Sequence, residues 1–469
     1  MLTKKWMRRS LAMLGALTLT AGLWAAPAMA EEKTYTQPTL NPHVKSIIEV
    51  DGYQFIDLNS NGTLDPYEDW RLDADTRTAD LVGQMTVREK IAQMQHPTYL
   101  PRADGKIPSY LNKWCNKEGI GMLLIRELNS VEAAAVSMNT IQEYAEGSRL
   151  GVPVLVSMDS VHGLSYVSGA TVTGHNLALA ATRDEDLVTR LAEIARDEHI
   201  AIGVRMTLSP EADIASEPRW GRVMETFGED PDLVTKMVTA QVVAFQNGRD
   251  GLNTGAIVAC MKHFPGAGPQ MEGKDTSPII SSAETLQIHL KPYYAALEVN
   301  IASIMPYYSV PLELDMENSA IGSKATLQDL LRDEMGFEGI IQTDWGMIWA
   351  IQEGRGTMMG EEVADFFFND TATTEIYTRS LVGIGGESIR LIDQMEELTN
   401  AGKIDEDILT AAATRIVKAK FELGVFENPY CDVEYAVQFV GNEEHQAVNL
   451  EAARKAMTLL KNDGILPLK

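Results

Sequence analysis

From Thr86 onward the chain alternates between two hydrophobic textures. Short unbroken apolar runs, "GIGMLLI", "PVLVSMD", "VRMTLSP", "AIVACMKHF", "SIMPYYS" and "GIIQTDW", read as strands buried on both faces. Between them lie longer segments with apolar residues at helical spacing. Examples are "SVEAAAVSMNTIQEYAEGSRLG", "DEDLVTRLAEIARDEHIAIG", "DPDLVTKMVTAQVVAFQNG", "SAETLQIHLKPYYAALE" and "ATLQDLLRDEMG". "TVRE" at Thr86–Glu89 predicts a capping box opening a helix, and "DEDILTAAATRIVKAKFELG" a late helix stopped by Gly424. Six successive strand–helix units predict an α/β fold, a (β/α)8 TIM-type barrel. A doubly wound open sheet is the alternative. No G-x-G-x-x-G follows the first strand, which weakens a dinucleotide reading.

Composition changes this picture only at its edges. Apolar residues make up 45 % and charged residues 23 % of 469, an ordinary globular balance. A net charge of −26 argues against nucleic acid and against an anionic membrane, and for a neutral or cationic ligand. The N-terminus reads as an export signal. Lys4, Lys5, Arg8 and Arg9 precede the apolar run "LAMLGALTLTAGLWAA", and Ala28-Met29-Ala30 gives a small-x-small cleavage site. A secreted or periplasmic location follows, with no membrane partner once residues 1–30 are removed. Cys115, Cys260 and Cys431 are too few and too scattered for a disulfide framework.

Residues 31–78 form an N-terminal segment with one conspicuous loop. In "DLNSNGTLDPYEDW", Asp57, Asn59, Asn61, Gly62 and Glu68 fill D-x-[DN]-x-[DN]-G-x5-E, with Asp65 at the ninth position. Alternate oxygen ligands can curl round one cation, and Gly62 permits the turn. The expectation is a structural calcium site, against an Asx-rich turn without metal. No cofactor is expected for catalysis.

In a parallel barrel, chemistry gathers at the C-terminal ends of the strands. Here those ends carry Asp159, then Glu211 and Asp213, then Lys262 and His263, then Tyr308, then Asp344 and Trp345. One polar residue at such a place is a cap or a turn, but five successive ends make a site. Carboxylates, cations and indoles suit a neutral polyhydroxylated ligand. His162, His175 and His263 stand isolated, without metal-ligand spacing, and no G-x-S-x-G elbow is present. Lys262 and His263 are neighbours, and neighbours on a regular strand face opposite ways. Both reach one ligand only if the backbone is irregular there.

"MDSVHG", "EPRWGRVMETFGEDPDL", "MKHFPGAG" and "GFEGIIQTDWG", in that order, resemble glycoside hydrolase family 3, the β-glucosidase and exo-glucanase family. The resemblance places the barrel at 79–430. It implies a retaining exo-β-glycosidase with Asp344 as nucleophile, acting on an oligosaccharide or β-glucoside. By the same resemblance Asp159, Arg222, Lys262, His263 and Tyr308 hold the sugar, and Trp345 stacks at the mouth. Arg219 reads equally as a partner for a carboxylate, and Trp220 as packing. One branch of the family, the N-acetylglucosaminidases, uses an Asp-x-His dyad on the loop after "KHFPG". Here Ser277 stands where the His is wanted, which favours the glucosidase-like branch. That branch takes its general acid, a Glu, from a following α/β domain. Residues 431–469 read as a linker and the first strand of such a domain, so the chain reads as a fragment without its proton donor. A non-catalytic sugar-binding protein and an N-acetylhexosaminidase are the alternatives.

One stretch does not belong to the pattern. Where the resemblance expects a helix and the last barrel strand, the chain reads "FFFNDTATTEIYT" from Phe366 to Thr378. Written back into codons, residues 369–378 spell AAT GAT ACG GCG ACC ACC GAG ATC TAC AC, which resembles the constant region of a short-read sequencing adapter. The segment is read as an insert rather than a lid. It predicts a barrel without a good closing strand, with open edges and a tendency to aggregate.

Overall fold

The computed structural model describes residues 34–101, 107–345, 381–384, 388–463 and 466. The expected export signal and the stretch read as an insert, 366–378, lie outside the described residues. Pro38–Lys469 form one compact unit. It opens with an antiparallel hairpin of β1 (Ser46–Val50) and β2 (Tyr53–Asp57). The remaining strands are β3 (Gln95–His96), β4 (Thr98–Tyr99), β5 (Met122–Ile125), β6 (Leu155–Met158), β7 (Met206–Thr207), β8 (Val258–Phe264), β9 (Ser303–Pro306), β10 (Ile340–Trp345) and β11 (Leu381–Ile384). They hydrogen-bond in the order β3-β11-β10-β9-β8-β7-β6-β5-β4, every pair parallel.

β3 and β4 are one extended segment interrupted only at Pro97, which has no N–H to give to a ladder. β3 pairs with β11 and β4 with β5, so the sheet returns to its own start as the expected eight-unit barrel. This corrects the expectation of open edges. The closing strand lies just beyond the insert, where the apolar Leu381 and Val382 align with Ile341 and Gln342 of β10, and Gly383 aligns with Gln95. Residues 458–463, expected to begin another strand, carry none. An isolated strand has no partner for its backbone groups and does not form alone.

Strand alternation sorts the core. Met122, Leu124, Leu155, Met206, Val258, Cys260 and Met305 cluster together, while Leu123, Ile125 and Val156 pack with helix Val131–Glu146. Ala259, Met261 and Ile304 pack with the helices Pro231–Phe245 and Ala283–Leu297. The helices start where their caps predict. Thr86 and Glu89 form the capping box, and Asp230 caps a helix with Pro at its first position. Helix Glu406–Glu422 ends before Gly424, whose φ of +69° suits glycine. Cys115, Cys260 and Cys431 are free thiols. Inside the barrel, buried His96 bridges Ser157 (2.6 Å) and Gln342 (2.8 Å). Burial lowers its pKa to about 4, so it is a neutral crosslink beneath the site.

Candidate active site

The strand ends converge on one site, and it is built almost wholly of charged groups. Asp159, just past β6, accepts from Lys262 Nζ at 2.8 Å and from Arg126 Nη2. Burial favours the neutral acid, but the two cations prevail and hold Asp159 at about 2. Arg126, just past β5, lies with its guanidinium carbon 5.1 Å from the Tyr166 ring centre and 4.6 Å from that of Trp345.

Val258, Cys260 and Lys262 share one face of β8, and Ala259 and Met261 the other. Regular alternation would send His263 out with Met261. Instead its Nδ1 lies 2.8 Å from Asp213, and its Nε2 3.7 Å from Asp344 Oδ2 and 3.4 Å from Arg222 Nη1. The Lys262–His263 peptide is cis, and the ladder to β9 shifts register between Lys262 and Phe264. Both side chains therefore reach the site, through the backbone irregularity that the sequence demanded. Burial, followed by the positive charge of Arg222, keeps His263 well below the usual imidazole range and neutral.

Asp213 also accepts from the backbone N–H of His263 and of Ala267. The loop after Phe264 can press this close because it is glycine-rich. Gly268 has no room for a Cβ, which would stand 1.7 Å from the Ile214 carbonyl oxygen. Burial raises the Asp213 pKa to about 6, against the Ala267 hydrogen bond and the charge of Arg222. Arg222 gives Nε (3.1 Å) and Nη2 (2.9 Å) to Glu225, and its Nη2 is 3.2 Å from Glu211.

Asp344 stands at the end of β10, partly open to solvent. Tyr308 Oη lies 2.9 Å from its Oδ1 and equally near the Trp345 carbonyl, and the Trp345 N–H reaches Oδ1 at 2.6 Å. Burial and then the neighbouring Asp344 charge push the Tyr308 phenol far up, so it remains a donor. Trp345 is 37 % exposed at the rim. All seven residues that the sequence assigned to catalysis or sugar binding are thus brought together: Asp344, Asp159, Arg222, Lys262, His263, Tyr308 and Trp345. Arg126 and Glu225 were missed. Arg126 follows the apolar run "MLLI" and was legible as one more strand end, whereas Glu225 carries no signal beyond its place three residues after Arg222. The bland readings fit Trp220, which is buried with Nε1 on Asp275 (2.7 Å), and Arg219, which pairs with Glu217. Ser277 gives its hydroxyl to the Met271 carbonyl (2.9 Å).

The calcium-like loop lies in the β2–helix segment. Asp57 accepts from Asn61 N and Gly62 N, both at 3.0 Å, and Gly62 has φ +77°. Asn59 and Asn61 turn their amides to Asp65, and Glu68 accepts from the N–H of Leu58, Asn59 and Asp65. The donors are all oxygen-bearing side chains on one turn, a set chemically suited to a hard cation.

The profile of the glycosyl hydrolase family 3 N-terminal domain matches residues 86–419. The chain belongs to glycosyl hydrolase family 3. Its relatives include a periplasmic β-glucosidase/β-xylosidase of Dickeya chrysanthemi, 33 % identical over 92 % of this chain and 71 % of that protein. A probable β-glucosidase C of Aspergillus oryzae is also 33 % identical, over 86 % of this chain and 66 % of its own length. Among solved structures, a β-glucosidase from Erythrobacter marinus superposes with TM-score 0.75 at 29 % identity, covering 86 % of this chain and 52 % of that one. An exo-1,3/1,4-β-glucanase from a Pseudoalteromonas species gives 0.72 at 25 %, covering 88 % and 50 %. The chain therefore spans about half the length of these family 3 structures.

Proposed function

We propose that this chain is the barrel of an exported, retaining exo-β-glycosidase that removes terminal β-linked glucose-type residues. The observation that carries the reading is the setting of Asp344. It lies at the end of the seventh barrel strand, held by Tyr308 and faced by neutral His263, within a ring of hydroxyl-binding charges. Asp344 attacks the anomeric carbon and the glycosidic oxygen departs with a proton. Water then cleaves the glycosyl–Asp ester, with net retention. Asp159, Lys262, Arg222 and His263 hold the sugar hydroxyls, and Trp345 stacks on its face. The proton comes from a glutamate in the part of the longer relatives that this chain does not span. The same coverage favours a second reading for the chain by itself, sugar binding without turnover. The N-terminal charge and apolar pattern support export, as does the periplasmic relative. Asp57, Asn59, Asn61, Asp65 and Glu68 would hold a calcium ion, which would join the hairpin to the helix that follows. Chelation then lowers Tm, and Glu68→Gln abolishes that response.

The test of the catalytic reading uses the full-length gene product and a β-linked aryl glucoside. A 2-deoxy-2-fluoro glucoside should leave a covalent adduct that peptide mass mapping places on Asp344. Asp344→Asn should reduce kcat roughly ten-thousandfold. An adduct on another residue, or normal turnover by Asp344→Asn, overturns the assignment.

A further inference from the structure

Glu211 has no place in the mechanism above, yet its carboxyl is fully buried in the floor of the site. Its backbone bridges to Lys262 on the neighbouring strand, which fixes its position. Oε2 is 3.2 Å from Arg222, and Oε1 has no hydrogen-bond partner among the described residues. Arg222 is the nearest cation, but it is already committed to Glu225 by two hydrogen bonds, and Lys262 is committed to Asp159. The charged and titratable groups facing Glu211 are Arg222, Glu225, Asp213, Lys262, the neutral His263 ring and the buried Tyr293 phenol. Among them no cation remains to match a further carboxylate, and an unmatched buried charge is among the costliest things a fold can hold.

We infer that Glu211 is a positioning residue that works as a neutral acid: its proton bridges to Glu225, and the two carboxyl groups together hold Arg222 against the sugar. Both carboxyls reach the same nitrogen, Arg222 Nη2, Glu211 at 3.2 Å and Glu225 at 2.9 Å, so they lie side by side, and Arg222 holds Glu225 at about 2 against burial. Burial keeps Glu211 protonated well above the ordinary carboxyl range. When the proton leaves for solvent at high pH, a second negative charge appears beneath Arg222. The guanidinium is then drawn down, away from the ligand, and sugar affinity falls.

This inference rests on the sugar-site reading, so its test includes a measurement that needs neither sugar nor turnover. Difference infrared spectroscopy of the intact chain at neutral pH should show the carbonyl stretch of a buried protonated carboxyl. The band should vanish in Glu211→Gln, and also in Glu225→Gln, where Arg222 is freed to pair with an ionised Glu211. Retention of the full band in Glu225→Gln, or its absence from wild type, overturns the inference even if Glu211→Gln does not fold. Calorimetric titration with glucose adds the functional arm. Wild-type affinity should drop about tenfold between neutral and alkaline pH, while the affinity of Glu211→Gln, whatever its neutral-pH value, should show no such drop. An identical alkaline loss in both proteins refutes the role of Glu211. Failure of both to bind glucose at any pH counts against the sugar site, and the infrared band then decides Glu211 separately.

Discussion

Around Asp159 two cations, Lys262 and Arg126, meet one carboxylate. Across the site, Glu211, Asp213 and Glu225 have Arg222 among them, with a neutral His263 for company. The pKa values diverge accordingly. Asp159 sits at about 2, and Asp213 is lifted to about 6 by the same kind of burial. Burial alone therefore does not decide ionisation here, because the local ratio of cations to carboxyls does. The cation-rich wall is fixed in charge, because Lys262 and Arg126 keep Asp159 ionised down to about 2. The carboxyl-rich wall is where protons come and go, and Asp344 is close to it through His263.

The comparison breaks most sharply at Asp159. Asp159→Asn leaves Lys262 and Arg126 facing each other without their shared anion. Removing one partner of a buried pair costs about 3–5 kcal/mol, so urea unfolding should show a loss of that order. Asp213→Asn acts on the other wall and frees the His263 ring. Loss of a hydrogen bond to a charged group is worth about 1.5–3 kcal/mol, so kcat/KM should fall roughly ten- to a hundredfold.

Acid titration sharpens the contrast, because Asp159 and Asp213 are shifted in opposite directions. The depressed Asp159 contributes stability that is present above its usual 3.8 and lost as pH falls toward about 2. That loss is about 2 kcal/mol, and it should disappear from Asp159→Asn. The raised Asp213 does the reverse. Its contribution is full below 3.8 and lost as pH rises toward about 6, and Asp213→Asn should remove that decline. Unfolding free energies measured across this range test both. The smallest effect lies outside the contrast altogether. Arg219 pairs with Glu217 on the exposed surface, and Arg219→Ala should leave Tm and kinetics unchanged.

The barrel was legible because its strands are unbroken apolar runs bounded by caps and glycines, and that pattern is local. Asp159, Lys262, His263, Tyr308, Asp344 and Trp345 were legible for the same reason, since each lies where a run ends, whereas Arg222 came from the resemblance alone. The roles of Arg126 and Glu225 were not, because they depend on which strand ends become neighbours: Arg126 meets Asp159 across β5 and β6, and Glu225 meets Glu211 across a loop. β11 was missed for a different reason. Four residues beside a foreign-looking segment carry too little periodicity to count, and only their fit between β10 and β3 shows what they are. Lys262 and His263 mark a middle case. Their adjacency required an irregular backbone, but its form was visible only in three dimensions.

That fit at β11 also bears on the order of assembly. The first strand already pairs with β5 along one edge, while its other edge waits for the last strand, where Gly383 pairs with Gln95. The chain between them must already be folded or held, and closing so long a loop is entropically the costliest contact in the barrel. During synthesis the early strands leave the ribosome with one edge bare. A nearly complete barrel lacking only Leu381–Ile384 leaves the edges of β3 and β10 bare, the kind of unpaired strand edge that invites association.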